Sequence, residues 1–258
     1  MACQKNLLYL VVVGVALSLE LVSVSLAVPQ LRSQSPEVSG VTLVSKKPRR
    51  RLRFKIPGIR ASMGRGMHGR QWCIKGNKPL TALIPNNNVA TTVSANPTLF
   101  WYVPQTEAKS AEFVIFDPDR DREVYKTTLA LEEIPGVVKL SLPKAVSLET
   151  GKEYVWQLAL ICNPEKPEEQ DYLRGMIERT QLSSDQKTKL ADAIEPLKQA
   201  EVYAGAGIWL ETLIVLSQLR HERPNDSNVN DAWKELLESV ELEAIATEPL
   251  IECCRVAH

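Results

Sequence analysis

The chain has 258 residues, in which 31 basic side chains balance 31 acidic ones and 44% of the residues are hydrophobic. This composition is typical of a soluble globular protein, so it excludes a wholly disordered chain and a membrane protein with many spans. Five cysteines and three histidines are too few for a metal cluster or a scaffold held mainly by disulfides. The length allows one or two domains with a sizeable core.

The neutral total hides an uneven distribution of charge. Residues 38–106 contain twelve basic side chains and no acidic one, whereas from Glu107 onward 29 acidic side chains stand against 17 basic ones. The chain is therefore predicted to carry a basic arm on an acidic body. Such an arm could fold back on the body or contact an anionic partner.

The first 27 residues have the pattern of an export signal. Lys5 supplies the positive end, residues 7–19 form a short apolar run, and Ser25 and Ala27 are small residues at the positions that signal peptidase recognises. The run is shorter than the roughly 20 residues of a transmembrane helix. Cleavage and a periplasmic or extracellular location are therefore predicted, and the alternative is an uncleaved segment that anchors the chain to the membrane.

Residues 28–77 are predicted to be a basic, flexible linker. The run of lysine, arginine and proline at residues 46–51 is followed by several glycines and few large apolar side chains. Such a segment buries too little apolar area to offset the entropy lost on ordering it. Its cations could bind anionic lipid or an acidic polymer of the envelope, and no nucleic acid is expected as the partner of an exported chain.

Residues 78–163 have apolar side chains at every second position, which predicts strands. Residues 99–103 and 113–116 are short apolar runs typical of strands buried on both faces, and residues 154–162 alternate along one long strand. Five or six such strands separated by turn residues favour an antiparallel β-sandwich of the immunoglobulin or fibronectin type III kind.

Leu148, Gly151 and Tyr154 also resemble the tyrosine corner of those sandwiches. In that motif the tyrosine packs inward and its hydroxyl bonds back to the upstream backbone.

Residues 167–250 have a helical apolar period, so the predicted fold class is α+β. Tyr172, Met176 and Ile177 indicate a first helix, Ser184 is the predicted cap of a second, and either Asp226 or Ser227 is predicted to cap the last one. A buried helical stripe is predicted from Val202, Ala206, Trp209, Leu213 and Leu216. Residues 201–242 resemble one tetratricopeptide unit, which predicts a helical hairpin packed on the sandwich.

Several strings occur in order along the chain: PTLFWYVP at residues 97–104, Tyr154-x-Trp156 with Cys162, GMIER at residues 175–179, and YAGAGIW at residues 203–209. Together they resemble a family of exported cyanobacterial proteins known only as a domain of unknown function. The resemblance covers about residues 80–253. It implies export and this two-part layout, with no established activity, cofactor or catalytic residue.

Four cysteines would remain after export, at positions 73, 162, 253 and 254, and they allow three pairings. A bridge between the two adjacent cysteines needs an awkward ring, so a long-range bridge from Cys162 is favoured, with Cys253 as the candidate partner. Reduced, buried cysteines are the alternative.

Carboxylates at Asp117, Asp119 and Asp121 have the spacing of a calcium loop. The segment lacks the glycine and the distal glutamate of such loops, and it lies where a hairpin turn is expected. A plain acidic turn is therefore predicted, and cation binding is left open.

No catalytic constellation is apparent in the sequence. His68 and Cys73 could form a nucleophile pair, but both lie in the predicted linker, where nothing fixes their geometry. His221 ends a predicted helix and His258 ends the chain. No nucleophile elbow, phosphate loop or zinc-protease motif occurs.

A candidate binding groove between the sandwich and the helices contains Glu178, Arg179, Trp209 and Glu211. Trp209 is equally expected in the core. The sequence predicts a non-enzymatic interaction module of the cell envelope that needs no cofactor and binds an envelope protein or an anionic surface. The alternative is a hydrolase or transferase with its site at the sandwich–helix junction.

Overall fold

The computed structural model describes residues 51–57, 72–119, 121–131, 135–166 and 168–251. All of them belong to one structural unit, residues 49–258. The sequence predictions that lie outside the described residues are the signal segment, most of the linker, His68, Cys253 and His258. Among the described helices, none combines the length and the apolar character that a membrane span requires.

Strands come first in the described chain and helices follow. The strands are β1 (Thr81–Ala82), β2 (Val89–Thr92), β3 (Thr98–Val103), β4 (Ser110–Asp117), β5 (Arg122–Ala130), β6 (Gly136–Ser141), β7 (Lys152–Ile161) and β8 (Gln170–Arg179). The helices are α1 (Ser184–Asp192), α2 (Pro196–Ala206), α3 (Trp209–Glu222), α4 (Ser227–Glu238) and a short 3₁₀ helix (Glu243–Ile245). The predicted α+β class is confirmed.

The strands form two sheets. One has three antiparallel strands in the order β1-β3-β6, and the other has five strands in the order β2-β8-β7-β4-β5. Every neighbouring pair in the larger sheet is antiparallel except β2 and β8, which run parallel. The larger sheet is therefore mixed, where the sequence had predicted antiparallel pairing alone.

Three aromatic rings join the two sheets in a common core. Trp101 on β3 meets Phe113 on β4 and Trp156 on β7 edge-on, with ring centroids 5.2 Å and 5.6 Å apart. All three side chains are buried. The alternating pattern of the sequence places these rings on one face of each strand, where they remove a large apolar area from water.

The tyrosine-corner prediction is confirmed at the level of its hydrogen bond. Tyr154 is buried, and its hydroxyl accepts a hydrogen bond from the backbone N–H of Glu149 at 3.0 Å. Gly151 between them has a φ of +76°, a left-handed conformation that glycine adopts without strain.

The predicted first helix from residue 167 is wrong, because residues 170–179 form strand β8. Its inward side chains are Asp171, Leu173, Gly175 and Ile177, which alternate with period two. Gly175 has no side chain because the Trp156 ring of β7 lies there; a Cβ atom would come within 2.5 Å of it. The apolar residues Tyr172 and Met176 face the other way and gave the segment a helical appearance.

The helical region begins at Ser183, which caps α1 in a capping box with Gln186, one residue before the predicted cap Ser184. Of the two predicted caps of α4, the structure uses Asp226, which accepts a hydrogen bond from the Asn228 N–H. Within the predicted stripe, Trp209, Leu213 and Leu216 are fully buried. The predicted stripe is therefore confirmed for α3 alone, because Val202 and Ala206 are only half-buried and Gly207 ends α2 before Trp209.

The junction between helices and sheet lies at β2. The Thr91 hydroxyl donates to the Gly207 carbonyl at 2.6 Å and accepts from the Trp209 N–H at 3.0 Å. The Trp209 indole N–H donates to the Leu83 carbonyl at 2.7 Å. These bonds satisfy the buried polar groups at the start of α3 and fix the helices against the larger sheet.

Candidate functional site

Residues 51–57 form an extended segment, here called the strap, that lies across the helical region. Leu52 and Phe54 are buried, at 3% and 7% exposure, whereas Arg51, Arg53 and Lys55 are exposed. The prediction of a flexible linker over residues 28–77 is therefore corrected for this part of it. Between its charged residues the segment has an apolar residue at every second position, and this alternation gives an extended chain one face that can be buried.

The groove that holds the strap is the surface made by α2, the start of α3 and the end of α4. Three strap N–H groups donate to it: Leu52 to the Glu235 carboxylate at 2.8 Å, Phe54 to the Ser239 hydroxyl at 3.1 Å, and Lys55 to the Ala204 carbonyl at 3.1 Å. The donors are all main-chain groups. The groove therefore recognises an extended backbone as well as particular side chains.

The apolar floor of the groove is centred on Trp209. The Phe54 ring meets the Trp209 ring edge-on, with centroids 4.8 Å apart. Nearby, Gly207 ends α2 with a φ of +74°, and a Cβ atom there would lie 2.9 Å from the Lys55 carbonyl oxygen. Glycine at this position lets the strap pass directly over the α2–α3 junction.

The strap does not fill the groove, because open clefts lie on both of its sides. The cleft on the α4 side has a volume of about 400 Å³ and includes Glu235, Glu238 and Ser239 in its walls. The cleft on the α2 side has a volume of about 230 Å³ and is lined by Glu201, Ala204 and Gly205. Both clefts combine basic strap side chains with carboxylates of the helices.

The three exposed cations of the strap have no ion pair in the described chain. No described carboxylate oxygen lies within 4.0 Å of Arg51, Arg53 or Lys55. Because they occupy every second position of an extended segment, successive charges are about 7 Å apart. The strap thus presents a row of cations on its outer face.

The predicted groove of Glu178, Arg179, Trp209 and Glu211 does not form as one open surface. Trp209 is fully buried and belongs to the core. Arg179 donates to the carbonyl of Val93 and to that of Leu148, so its guanidinium fastens the turn that follows β2. Glu178 precedes Arg179 on β8, where it is paired with Thr91 of β2 on one side and with Glu153 of β7 on the other.

Glu211 contacts the same turn as Arg179. Its Oε1 atom accepts from the Thr92 hydroxyl at 2.7 Å and from the Val93 and Ser94 N–H groups at 3.0 Å each. Burial raises the pKa of this carboxyl, and the hydrogen bonds oppose that rise in pKa. Its Oε2 atom is buried without a hydrogen-bond partner among the described residues. Two of the four predicted groove residues, Arg179 and Glu211, therefore contact the same turn. Both stabilise the junction between helices and sheet and leave no open groove between them.

The disulfide prediction is corrected, because Cys162 is bonded to Cys73, with a Cα–Cα distance of 5.3 Å. The candidate partner Cys253 lies outside the described residues. The sulfur of Cys73 is consequently not a thiol, which removes it from the nucleophile pair considered with His68. The buried Asp171 carboxylate accepts hydrogen bonds from the N–H groups of Trp72 and Cys73 at 2.9–3.1 Å. These bonds fix the chain at residues 72–73, near the end of the segment predicted to be a linker.

The acidic turn is the β4–β5 hairpin turn, as predicted. Asp117 is fully buried, and the Lys152 ammonium lies 2.7 Å from its carboxylate and 3.5 Å from that of Asp119. A lysine therefore supplies positive charge between these two carboxylates. Asp121 has a φ of +44° and completes the turn.

The sequence signal that could have revealed the strap was local: leucine, phenylalanine and isoleucine at positions 52, 54 and 56. The groove itself has no local signal, because Ala204, Gly207, Glu235 and Ser239 come from different helices. Only their packing brings these residues together.

No curated protein matches the chain. The sequence model of a domain of unknown function, DUF928, matches residues 62–250, which include every helix of the groove and exclude the strap. The match covers well over half of the chain, so the protein belongs to the DUF928 family.

Proposed function

We propose that this chain is an exported, non-enzymatic interaction module of the cell envelope that binds an anionic surface through the outer face of the strap. Export is supported by Lys5, the apolar run 7–19 and the small residues Ser25 and Ala27. The resemblance to exported cyanobacterial proteins supports the same compartment. An immunoglobulin-like arrangement of the two sheets, supported by the tyrosine corner, would form the supporting body.

The observation that carries this proposal is the row of unpaired cations at Arg51, Arg53 and Lys55. The buried side chains Leu52 and Phe54 hold the opposite face, so the row does not have to be ordered when a partner binds. In the sequence it continues a basic run, because residues 46–55 contain seven cations and no acidic residue. Basic clusters of this size bind anionic surfaces with about 1 kcal/mol per side chain.

Carboxylates at Glu201, Glu235 and Glu238 flank the strap and reduce the positive potential close to it. Binding should therefore depend on the whole run and weaken steeply with salt, since exposed charges are screened over about 10 Å at 0.1 M ionic strength.

The alternative of a hydrolase or transferase rests on Glu211, whose raised pKa would suit a general acid. Its hydrogen-bonded neighbour Thr92 is fully buried, and Arg179 is bonded to backbone carbonyls. These groups are committed to the junction, so the described residues favour the binding module over the enzyme.

The test measures binding to vesicles that contain about one-third anionic lipid, compared with zwitterionic vesicles, using the full chain. The variant Arg51→Ser/Arg53→Ser/Lys55→Ser should lower the partition constant at least about tenfold, since three side chains contribute about 1 kcal/mol each. A soluble polyphosphate tested in parallel distinguishes a lipid surface from an acidic polymer.

The matched control is Lys139→Ser/Lys144→Ser/Lys187→Ser, which removes the same charge from exposed positions away from the strap. It should lower binding much less than the strap variant. Equal losses in the two variants would mean that net charge alone drives binding, and no binding to either anionic probe would refute the proposal.

A further inference from the structure

We infer that the groove beneath the strap is an exchangeable binding site for an extended peptide with apolar side chains at alternate positions, and that the strap is its resident occupant. This inference concerns the inner face of the strap and is independent of the anionic surface proposed for the outer face. The partner it fits is a polypeptide segment with an aliphatic, an aromatic and an aliphatic residue at successive alternate positions.

The first step is the mode of recognition. Glu235, Ser239 and the Ala204 carbonyl accept hydrogen bonds from strap N–H groups, and any extended peptide offers such donors in the same register. The buried side chains Leu52 and Phe54 then supply the preference for particular residues. Main-chain bonds combined with alternate side-chain pockets are the usual means of binding an extended peptide.

The second step is that the strap is an incomplete occupant. Clefts of about 400 Å³ and 230 Å³ remain beside it. The Glu201 Oε1 atom, in the wall of the smaller cleft, is buried and has no hydrogen-bond partner among the described residues. Gly205 in the same wall has open space where its Cβ would be. A ligand with a longer donor side chain at this point would gain contacts that the strap does not make.

The third step is the separation of site and occupant in the sequence. The match to the DUF928 family begins at residue 62, so it includes α2, α3 and α4 but not residues 51–57. Fourteen residues, four of them glycine, connect Pro57 to Trp72. The disulfide and Asp171 fix the chain at the far end of this connection. Release of the strap therefore leaves the fixed end in place.

The experiment measures fluorescence anisotropy of a labelled synthetic peptide with the sequence of residues 51–57. The receptor is the full chain carrying Leu52→Ser and Phe54→Ser, which empties the groove of its own apolar side chains. Saturable binding is expected, at least about tenfold tighter than to the wild-type chain, because the attached strap competes at a high effective concentration.

Two control peptides separate the apolar face from charge. Replacing Leu52 and Phe54 in the peptide by Ser should abolish binding, whereas replacing Arg51, Arg53 and Lys55 by Ser should change it by less than about threefold. No saturable binding to the weakened-strap chain, or binding that survives loss of both apolar side chains, would overturn the inference. The vesicle result does not affect this outcome.

A second measurement covers the case in which the weakened-strap variant does not fold. The wild-type chain is mixed with an excess of the peptide carrying a photoreactive phenylalanine analogue at the Phe54 position. Cross-links are expected within residues 200–239, around Trp209, and should be competed by unlabelled peptide. Cross-links elsewhere, or no more of them than with a scrambled peptide, would contradict the site.

Discussion

The larger sheet and the strap hold extended chain in two different ways. β7 pairs along its length with β4 and β8 and buries Trp156 completely. The strap pairs with no described strand, and it is held by three hydrogen bonds to helices and by two buried side chains. Apolar alternation therefore determines which face of an extended segment is buried, whereas hydrogen-bonded strands on both sides determine how firmly the segment is held.

The free-energy terms for docking of the strap nearly cancel. Burial of Leu52 and Phe54 contributes about 3–6 kcal/mol and the three hydrogen bonds about 1.5–4.5 kcal/mol. Ordering the backbone of its seven residues costs about 7–14 kcal/mol. The gain of about 4.5–10.5 kcal/mol and the cost differ by only a few kcal/mol, so the strap is expected to be released much more easily than β7.

The largest expected effect concerns the sheet core. Trp156→Ala should lower the free energy of unfolding by about 3–5 kcal/mol, because it leaves a cavity against Trp101 and Phe113. Denaturant unfolding followed by circular dichroism measures this loss. Trp72→Ala is the control: Trp72 is 42% exposed, so its loss should be clearly smaller than that of the fully buried Trp156. Similar losses in both variants would contradict the assignment of the core.

The next effect concerns the disulfide that ties the start of the body to β7. Cys73→Ser/Cys162→Ser should lower the free energy of unfolding by about 2–4 kcal/mol, because the bridge closes a loop between residues 89 apart in sequence. Mass spectrometry of the unreduced chain should show the 73–162 link. A link from Cys162 to Cys253 would contradict the structure.

A smaller effect is expected at the strap. Phe54→Ala should lower the free energy of unfolding by about 1–2 kcal/mol, because a segment held this weakly detaches before its full burial energy is lost. Trp209→Ala, on the other side of the same ring contact, should lower it by about 3–5 kcal/mol. Deletion of residues 28–69 should have an effect close to that of Phe54→Ala, which is more than the near-zero change that a flexible linker predicts.

Hydrogen exchange gives an independent measure of the same difference. The Leu52 and Phe54 amides should exchange much faster than the amides of β7, because the free energy needed to open β7 is expected to be close to that of global unfolding. Equal protection of the strap and β7 would show that the strap is part of the cooperative core, and exchange of peptides in the groove would then not be expected.

The smallest effect concerns the pH dependence of stability at the helix–sheet junction. The folded-state pKa of Glu211 is raised by burial, so the stability from this group is fully present below its unfolded pKa and is lost as pH rises through the higher folded pKa. Glu211→Gln should flatten the fall of thermal midpoint from acid toward neutral pH. The exposed Glu222→Gln is the control and should leave that slope unchanged.

Local sequence patterns predicted those elements whose neighbours in space are also close in sequence. The corner at Tyr154, the cap at Asp226 and the stripe through Trp209 and Leu213 all depend on residues at most a few turns apart. The segment of β8 looks helical in the sequence because Tyr172 and Met176 have a helical spacing. The role of Gly175, which leaves room for the Trp156 ring, becomes visible only when β7 lies beside β8.

The α+β class, the burial of Trp156 and Trp209 and the asymmetry between basic and acidic segments can be derived from the amino-acid sequence, since they follow from composition and from periods of two and 3.6 residues. Three features depend on the folded chain: Cys162 pairs with Cys73, Glu211 and Arg179 bind the same turn, and the strap lies in a groove made by three helices. These contacts join residues about 90 to 180 positions apart. No local period specifies a distant partner, because that choice is made by the packing of the whole core.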